Sequence, residues 1–340
     1  MNVRKLSVLL SVLTMACSLM ATSVAAEPSD TATVTPPVHH HSRHHAHPAR
    51  SHHHARHRHH RLSRHHARHH PKSMVADQPS SWSKHGPHLQ SDAVMVLDAR
   101  TGKMLYSKNE DKAIPIASIS KLMTAMVVLD AHQNMDEKLR IEPADVDTLR
   151  HSSSRLPVDS ELSRRHLLLL ALMASENRAA AALARNYPGG TVAAVAAMNN
   201  KARELGMMHS HFIDPTGLHA ENQSTPADLA LMVEAAHRYA DIRTDTTTHA
   251  WDLDTGRRLI SFHNTNPLIK SQSWDIGLTK TGFINESGKC LVMQARIDAE
   301  PIVIVLMHSW GRYTRFGDAN RVRDWLRATL HRPLQLSGTE

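Results

Sequence analysis

The sequence predicts an α/β fold of the α+β kind, in which one antiparallel sheet built from both chain ends is flanked by helices and interrupted by a long helical insertion. Three observations lead there. Short runs rich in Val, Ile and Leu, spaced as hairpins, occur near residue 93 and again from residue 276 onward. The stretch between them, roughly 115–240, is rich in Ala and Leu with few β-branched runs, which favours helix. The chain then reaches VRDWLRATL (322–330), whose apolar positions recur at helical spacing. At 340 residues and 41% hydrophobic content there is ample material for a core.

In chain order, Arg4 and Lys5 precede an apolar run from Leu6 to Met20 that ends in the small residues Ser23-Val24-Ala25-Ala26. This pattern is that of a secretory signal peptide over residues 1–26, cut after Ala25 or Ala26, and it implies a periplasmic protein. Ser11, Thr14 and Ser18 interrupt the run, which is short for a bilayer span. Cys17 follows Thr14 and Met15, a poor lipoprotein cleavage context, so processing leaves Cys290 alone and no internal disulfide is expected.

Residues 27–90 read as a disordered linker punctuated by prolines. Its core, residues 39–70, holds sixteen of the 29 histidines and seven arginines, with no acid. Removing those seven from the formal +8 leaves about +1 for the remainder, so the basic character belongs to the tract and a nucleic-acid-binding domain is not indicated. Leu62 is its one large apolar residue, too little to offset the entropy of ordering. The tract has a capacity for weak metal or polyanion binding, but lacks the fixed ligand spacing of a structural zinc site. No cofactor and no metal site are expected.

The folded domain is expected over 91–330, with order beginning near Asp92. AVMVLDARTGKMLYSKN predicts strands at 93–98 and 103–107 around a Thr101-Gly102 turn. IGLTKTGFI (276–284), KCLVMQARID (289–298) and PIVIVLMHSW (301–310) predict three more, the last two joined at Ala299-Glu300. Thr225-Pro226-Ala227-Asp228 is a helix start, with Thr as cap, Pro in the first turn and Asp at the positive end of the dipole. The polar tail at 331–340 has neither the length nor the pattern of an amphipathic membrane anchor.

The chemistry begins in PIASISKLMTAM (115–126), where Lys121 is the one charge between Lys112 and Asp130. Ile119, Leu122, Met123, Met126 and Val127 have helical spacing, and the lack of charge elsewhere predicts burial on all faces. A buried lysine must pair or lose its proton. Ser118 lies three residues earlier, within reach of the amine, so burial and the helix N-terminus make Lys121 a base for Ser118. Taken alone, Ser118 is equally a helix cap and Lys121 a snorkelling surface charge. Two further motifs follow: Ser175-Glu176-Asn177 between apolar helical stretches, and Lys280-Thr281-Gly282 in a strand.

Ser-x-x-Lys, Ser-x-Asn and Lys-Thr-Gly in this order resemble the triplet of the penicillin-binding proteins and serine β-lactamases. With LLLLALMASENRAAAALARNYPGG, MNNKARELGM, FIDPTGL and STPADL, residues 91–330 resemble the low-molecular-weight penicillin-binding proteins of the D-alanyl-D-alanine endopeptidase type, related to the carboxypeptidases. The resemblance implies a β-lactamase/transpeptidase-like fold and a periplasmic serine DD-peptidase that cuts D-alanyl cross-links of peptidoglycan stem peptides and is acylated by β-lactams. It makes Ser118 the nucleophile, Lys121 its base and Ser175 a proton relay. It places Asn177, Lys280, Thr281, Gly282 and Phe283 along the substrate, the Ser118 and Phe283 N–H groups forming the oxyanion hole. Arg312 in WGRYTRF resembles an arginine that binds the substrate carboxylate. Alternatives are a carboxypeptidase trimming pentapeptide stems and a β-lactamase; for the latter, neither Glu204 nor Glu221 has the neighbours of a deacylating glutamate.

Overall fold

The computed structural model describes residues 86–256 and 258–330. The expected signal peptide over 1–26, the histidine-rich residues 39–70 with nearly all of the expected linker, and residues 331–340 lie outside the described residues. The first elements are β1 (Ala93–Asp98), β2 (Met104–Lys108) and β3 (Ile114–Pro115), followed by a 3-10 turn at Ala117–Ile119 and α1 (Ser120–Asp130). Next come β4 (Lys138–Arg140), β5 (Glu161–Ser163), α2 (Arg164–Met173), α3 (Asn177–Arg185) and α4 (Gly190–Glu204). β6 (Gln223–Ser224), α5 (Pro226–Ala236), α6 (Ala240–Thr247), β7 (Ala250–Asp254) and β8 (Leu259–His263) lead to β9 (Asp275–Ile284). β10 (Gly288–Ile297), β11 (Glu300–Ser309) and α7 (Thr314–Leu330) complete the domain.

The main sheet has the order β2-β1-β11-β10-β9, all antiparallel, so it does join the two ends of the domain. β1, β10 and β11 read as nearly unbroken apolar runs because both faces of the sheet are covered there. Val94, Val96, Ile302, Ile304 and Leu306 face a layer formed with α7, whose Phe316, Ala319, Val322 and Leu326 make a helical stripe. The alternate residues Met95, Leu97, Val303, Val305 and Met307 join the larger core under the helical insertion. Each such aliphatic side chain, fully buried, contributes about 1.5–3 kcal/mol. Thr225 caps α5 as expected, its hydroxyl accepting from the Asp228 N–H at 3.1 Å.

Three details differ from the sequence reading. Packing starts before Asp92: Leu89 lies against the α7 layer, and the Gln90 and Ser91 N–H groups donate to the buried Asp318 carboxylate at 3.1 and 2.7 Å. The β10–β11 turn is Asp298-Ala299, one residue earlier, with φ of 51° and 71°, the two left-handed positions a tight hairpin requires. The insertion is not all helix, because it contains the short pairs β3–β6 and β4–β5, and the β7–β8 hairpin follows it. Two- and three-residue strands are too short to show a period of two.

Candidate active site

The first turn of α1 is where the sequence motifs converge. Every residue from Ser120 to Val128 is buried, so Lys121 has no path along its own helix to water. Its Nζ donates to Ser118 Oγ at 2.8 Å, Asn177 Oδ1 at 2.7 Å and the Thr216 carbonyl at 2.6 Å, which uses all three ammonium protons. Burial lowers the Lys121 pKa to about 7, against the pull of the Asp214, Glu176 and Asp147 carboxylates, which favour the cation. Near neutral pH the amine is therefore divided between a cation and a base aimed at Ser118.

Two glycines set the turn that carries Ser118. A Cβ on Gly217, whose φ is +80°, would lie 1.9 Å from the Ala117 carbonyl oxygen; on Gly282 it would lie 2.7 Å from that of Ile116. The turn is gripped between the loop after Asp214 and strand β9, and Ala117 sits at φ 49°. The loop is itself held: the Asp214 carboxylate accepts from the N–H groups of Thr216, Gly217 and His219 at 2.6–3.0 Å. Asn222 Nδ2 donates to the Asp214 carbonyl at 2.8 Å and to Ser120 Oγ at 2.9 Å. FIDPTGL thus aims the Thr216 carbonyl at Lys121, a task that a Pro-Thr-Gly turn signal does not disclose.

The other wall is built at the α2–α3 junction. Ser175 lies in the turn at φ 60°, and Lys280, which is 1% exposed on β9, donates to Ser175 Oγ at 2.8 Å. Burial and the nearby Lys121 charge push the Lys280 pKa well down. Asn177 opens α3 and joins the two walls, its Oδ1 on Lys121 and its Nδ2 donating to Ser152 Oγ at 2.8 Å. Thr281 donates to Thr265 Oγ1 at 2.6 Å. β9 is an edge strand, so its outer side has no strand partner. A cleft of about 260 Å³ opens here, lined by Ser118, Asn177, Gly217, Phe283 and the loop residues Arg150 and Ser152.

Ser118, Lys121, Ser175, Asn177, Lys280 and Gly282 are therefore brought together, with Thr281 and Phe283 on the same strand. Arg312 makes no contact with them: it is exposed, its guanidinium 5.4 Å from the Tyr313 ring. Arg315 acts on β10, where burial and then the Arg315 charge depress the Lys289 amine, and its own Nε is buried without a hydrogen-bond partner. The two arginines stand three positions apart in sequence, with Arg312 before the start of α7, an offset that the motif does not resolve. Arg150 and Ser152 were also missed, because RHSSSR carries no periodic signal. Glu204 pairs with Lys201 and Glu221 with His219, and neither lines the cleft. Cys290 is a buried free thiol whose pKa burial pushes up to about 11. Among the described residues no group of three or more His, Cys, Asp or Glu side chains is placed to hold a metal, and no helix is long and apolar enough to cross a membrane.

The family model described as D-alanyl-D-alanine carboxypeptidase, peptidase family S11, matches residues 80–310. The chain is 48% identical over 240 residues to a D-alanyl-D-alanine endopeptidase of Pseudomonas aeruginosa, covering 70% of this chain and 77% of that one. It is 45% identical over 255 residues to the Escherichia coli protein of the same description, with coverages of 74% and 82%. Among solved structures, the Streptomyces K15 DD-transpeptidase superposes with a TM-score of 0.67 at 28% identity, over 71% of this chain and 98% of that one. The fold, with its sheet joined from both ends, is the transpeptidase-like fold of these penicillin-binding relatives. The chain belongs to the D-alanyl-D-alanine carboxypeptidase family, S11.

Proposed function

We propose that this protein is a serine DD-peptidase that hydrolyses D-alanyl cross-links between peptidoglycan stem peptides through a Ser118 acyl-enzyme. The observation that carries the reading is the 2.8 Å contact between Ser118 Oγ and a Lys121 amine held near a pKa of about 7. Ser118 Oγ attacks the D-alanyl carbonyl carbon as its proton passes to neutral Lys121 Nζ, and the oxyanion forms at the Ser118 and Phe283 N–H groups. Collapse of the adduct breaks the C–N bond, and Ser175, bonded to Lys280, passes a proton to the leaving amine. Water then attacks the ester and frees Ser118. The substrate backbone lies along β9 at Thr281 and Gly282, adding a strand to the sheet edge. For the substrate carboxylate, Arg315 fits better than Arg312, since its Nε is buried without a hydrogen-bond partner and its charge acts on Lys289, the residue paired with Phe283 of β9.

The endopeptidase assignment is supported by the two relatives at 48% and 45% identity. The test is digestion of purified protein with cross-linked muropeptide dimers and, separately, monomeric pentapeptide, with products identified by mass. Dimers are expected to be the better substrate. Rapid trimming of pentapeptide while dimers persist would make the protein a carboxypeptidase.

Export to the periplasm and a tethering role for residues 39–70 complete the proposal. The seven arginines of the tract carry about +7, and its sixteen histidines add positive charge as pH falls through about 6.5. Its deletion is expected to weaken salt-sensitive retention on isolated sacculi, more at pH 5.5 than at pH 7.5, with penicillin acylation unchanged. Equal retention with and without the tract would remove the electrostatic role, whereas zinc-dependent acylation lost on deletion would make the tract part of a metal-dependent site.

A further inference from the structure

The cleft beside Ser118 has a charged wall that acyl transfer as described does not use. Among the residues lining it, Arg150 alone carries a full charge. The arginine is fixed in place: its Nε donates to the Leu218 carbonyl, and its backbone N–H donates to the Asp147 carboxylate at 2.9 Å. Its terminal nitrogens face the two oxygens of Glu286 at 3.1 and 3.0 Å, a two-point carboxylate contact. The partners are unequal. The Arg150 side chain is 24% exposed and anchored, whereas Glu286 is 46% exposed and stands on the turn between β9 and β10. An ion pair this open to water is weak and readily exchanged.

We infer that Arg150 is a specificity residue for the acyl donor: it reads a carboxylate on the donor peptide, and Glu286 occupies that position until the donor displaces it. The inference rests on the DD-peptidase reading and extends it to the chemistry of the donor. A guanidinium held by Nε and presenting both terminal nitrogens is preorganised for a planar carboxylate, so the incoming group bears little of the ordering cost. This carboxylate is separate from the one assigned to Arg315, which acts on Lys289 of β10 and does not line this cleft. A neutral donor gains nothing from Arg150 and leaves the Glu286 pair closed. A donor with an ionised side group exchanges one carboxylate for another and adds a contact across the cleft.

The alternative is that Arg150 and Glu286 only clasp two loops together, and the experiment separates the two. Two penicillins are compared that differ by one carboxylate on the acyl side chain. Both share the carboxylate of the ring nucleus, so its recognition cancels in the ratio of their second-order acylation rate constants. Arg150→Gln is expected to lower that ratio, charged over neutral, by about tenfold or more, with partial recovery in Arg150→Lys. Glu286→Gln, which removes the competing anion, is expected to raise it about threefold. A ratio unchanged in Arg150→Gln, with Glu286→Gln slowing both probes alike, would reduce the pair to a clasp and overturn the inference. Failure of the charged penicillin alone would overturn the inference, and failure of both to acylate the unaltered protein would overturn it together with the reading of Ser118.

Discussion

Ser118→Ala is expected to abolish labelling by a fluorescent penicillin and hydrolysis of muropeptide dimers together, a loss on the order of 10⁶-fold for hydrolysis. The reasons are geometric. Ser118 is the hydroxyl bonded to the Lys121 amine, it opens onto the cleft, and its turn is gripped by Gly217 and Gly282. Removing Oγ leaves the fold little altered, since no neighbour other than Lys121 depends on that atom for a hydrogen bond and the amine keeps Asn177 and Thr216. Thermal unfolding is therefore expected to stay close to that of the unaltered protein. Persistent labelling of the alanine variant would place the nucleophile elsewhere, and Ser175 would be the next residue to test.

Lys121→Arg is the second large effect, with acylation expected to fall by about 10²–10⁴-fold, because guanidinium stays protonated and cannot accept the Ser118 proton. The same argument fixes the pH dependence. Burial lowers the amine pKa to about 7, so the proton-accepting form is scarce at pH 6 and predominates at pH 8. Acylation of the unaltered protein should therefore rise with pH through about 7 and level off above it. Stopped-flow acylation between pH 5.5 and 9 measures this directly. A flat profile, or one that falls across neutrality, would show that Lys121 acts as a fixed cation and not as the base.

Much of this site was legible in the sequence because its chemistry is written in short local patterns. Ser118 and Lys121 share a face by helical spacing, and the absence of other charge from residue 113 to 129 announced the burial that shifts the lysine. The sheet was legible for a similar reason: Val, Ile and Leu repeat along β9, β10 and β11 over ten residues each. What escaped depends on contacts distant in sequence. The Thr216 carbonyl matters because Asp214 and Asn222 fold a loop back onto α1, 95 residues from Lys121. The β7–β8 hairpin was missed although Thr255-Gly256 marks a turn, because AWDLD and LISFH are half polar and only five residues long. Arg150 and Ser152 lie on an irregular loop whose position is set by the Asp147 carboxylate, and irregular backbone has no period to read.

The strand order β2-β1-β11-β10-β9 also governs when the protein can become an enzyme. β11 is the middle strand of the sheet and follows the other four in sequence. Until residues past 300 are available, β1 has only β2 beside it and β10 has only β9, each pair with an open apolar edge. Closure joins residues more than 200 positions apart, such as Val94 with Leu306, and contacts of that range form slowly. A chain that contains Ser118, Lys121, Ser175 and Lys280 but not β11 still lacks the strand that joins the β9–β10 pair to β1. Acyl transfer is thus withheld by topology until β11 is in place.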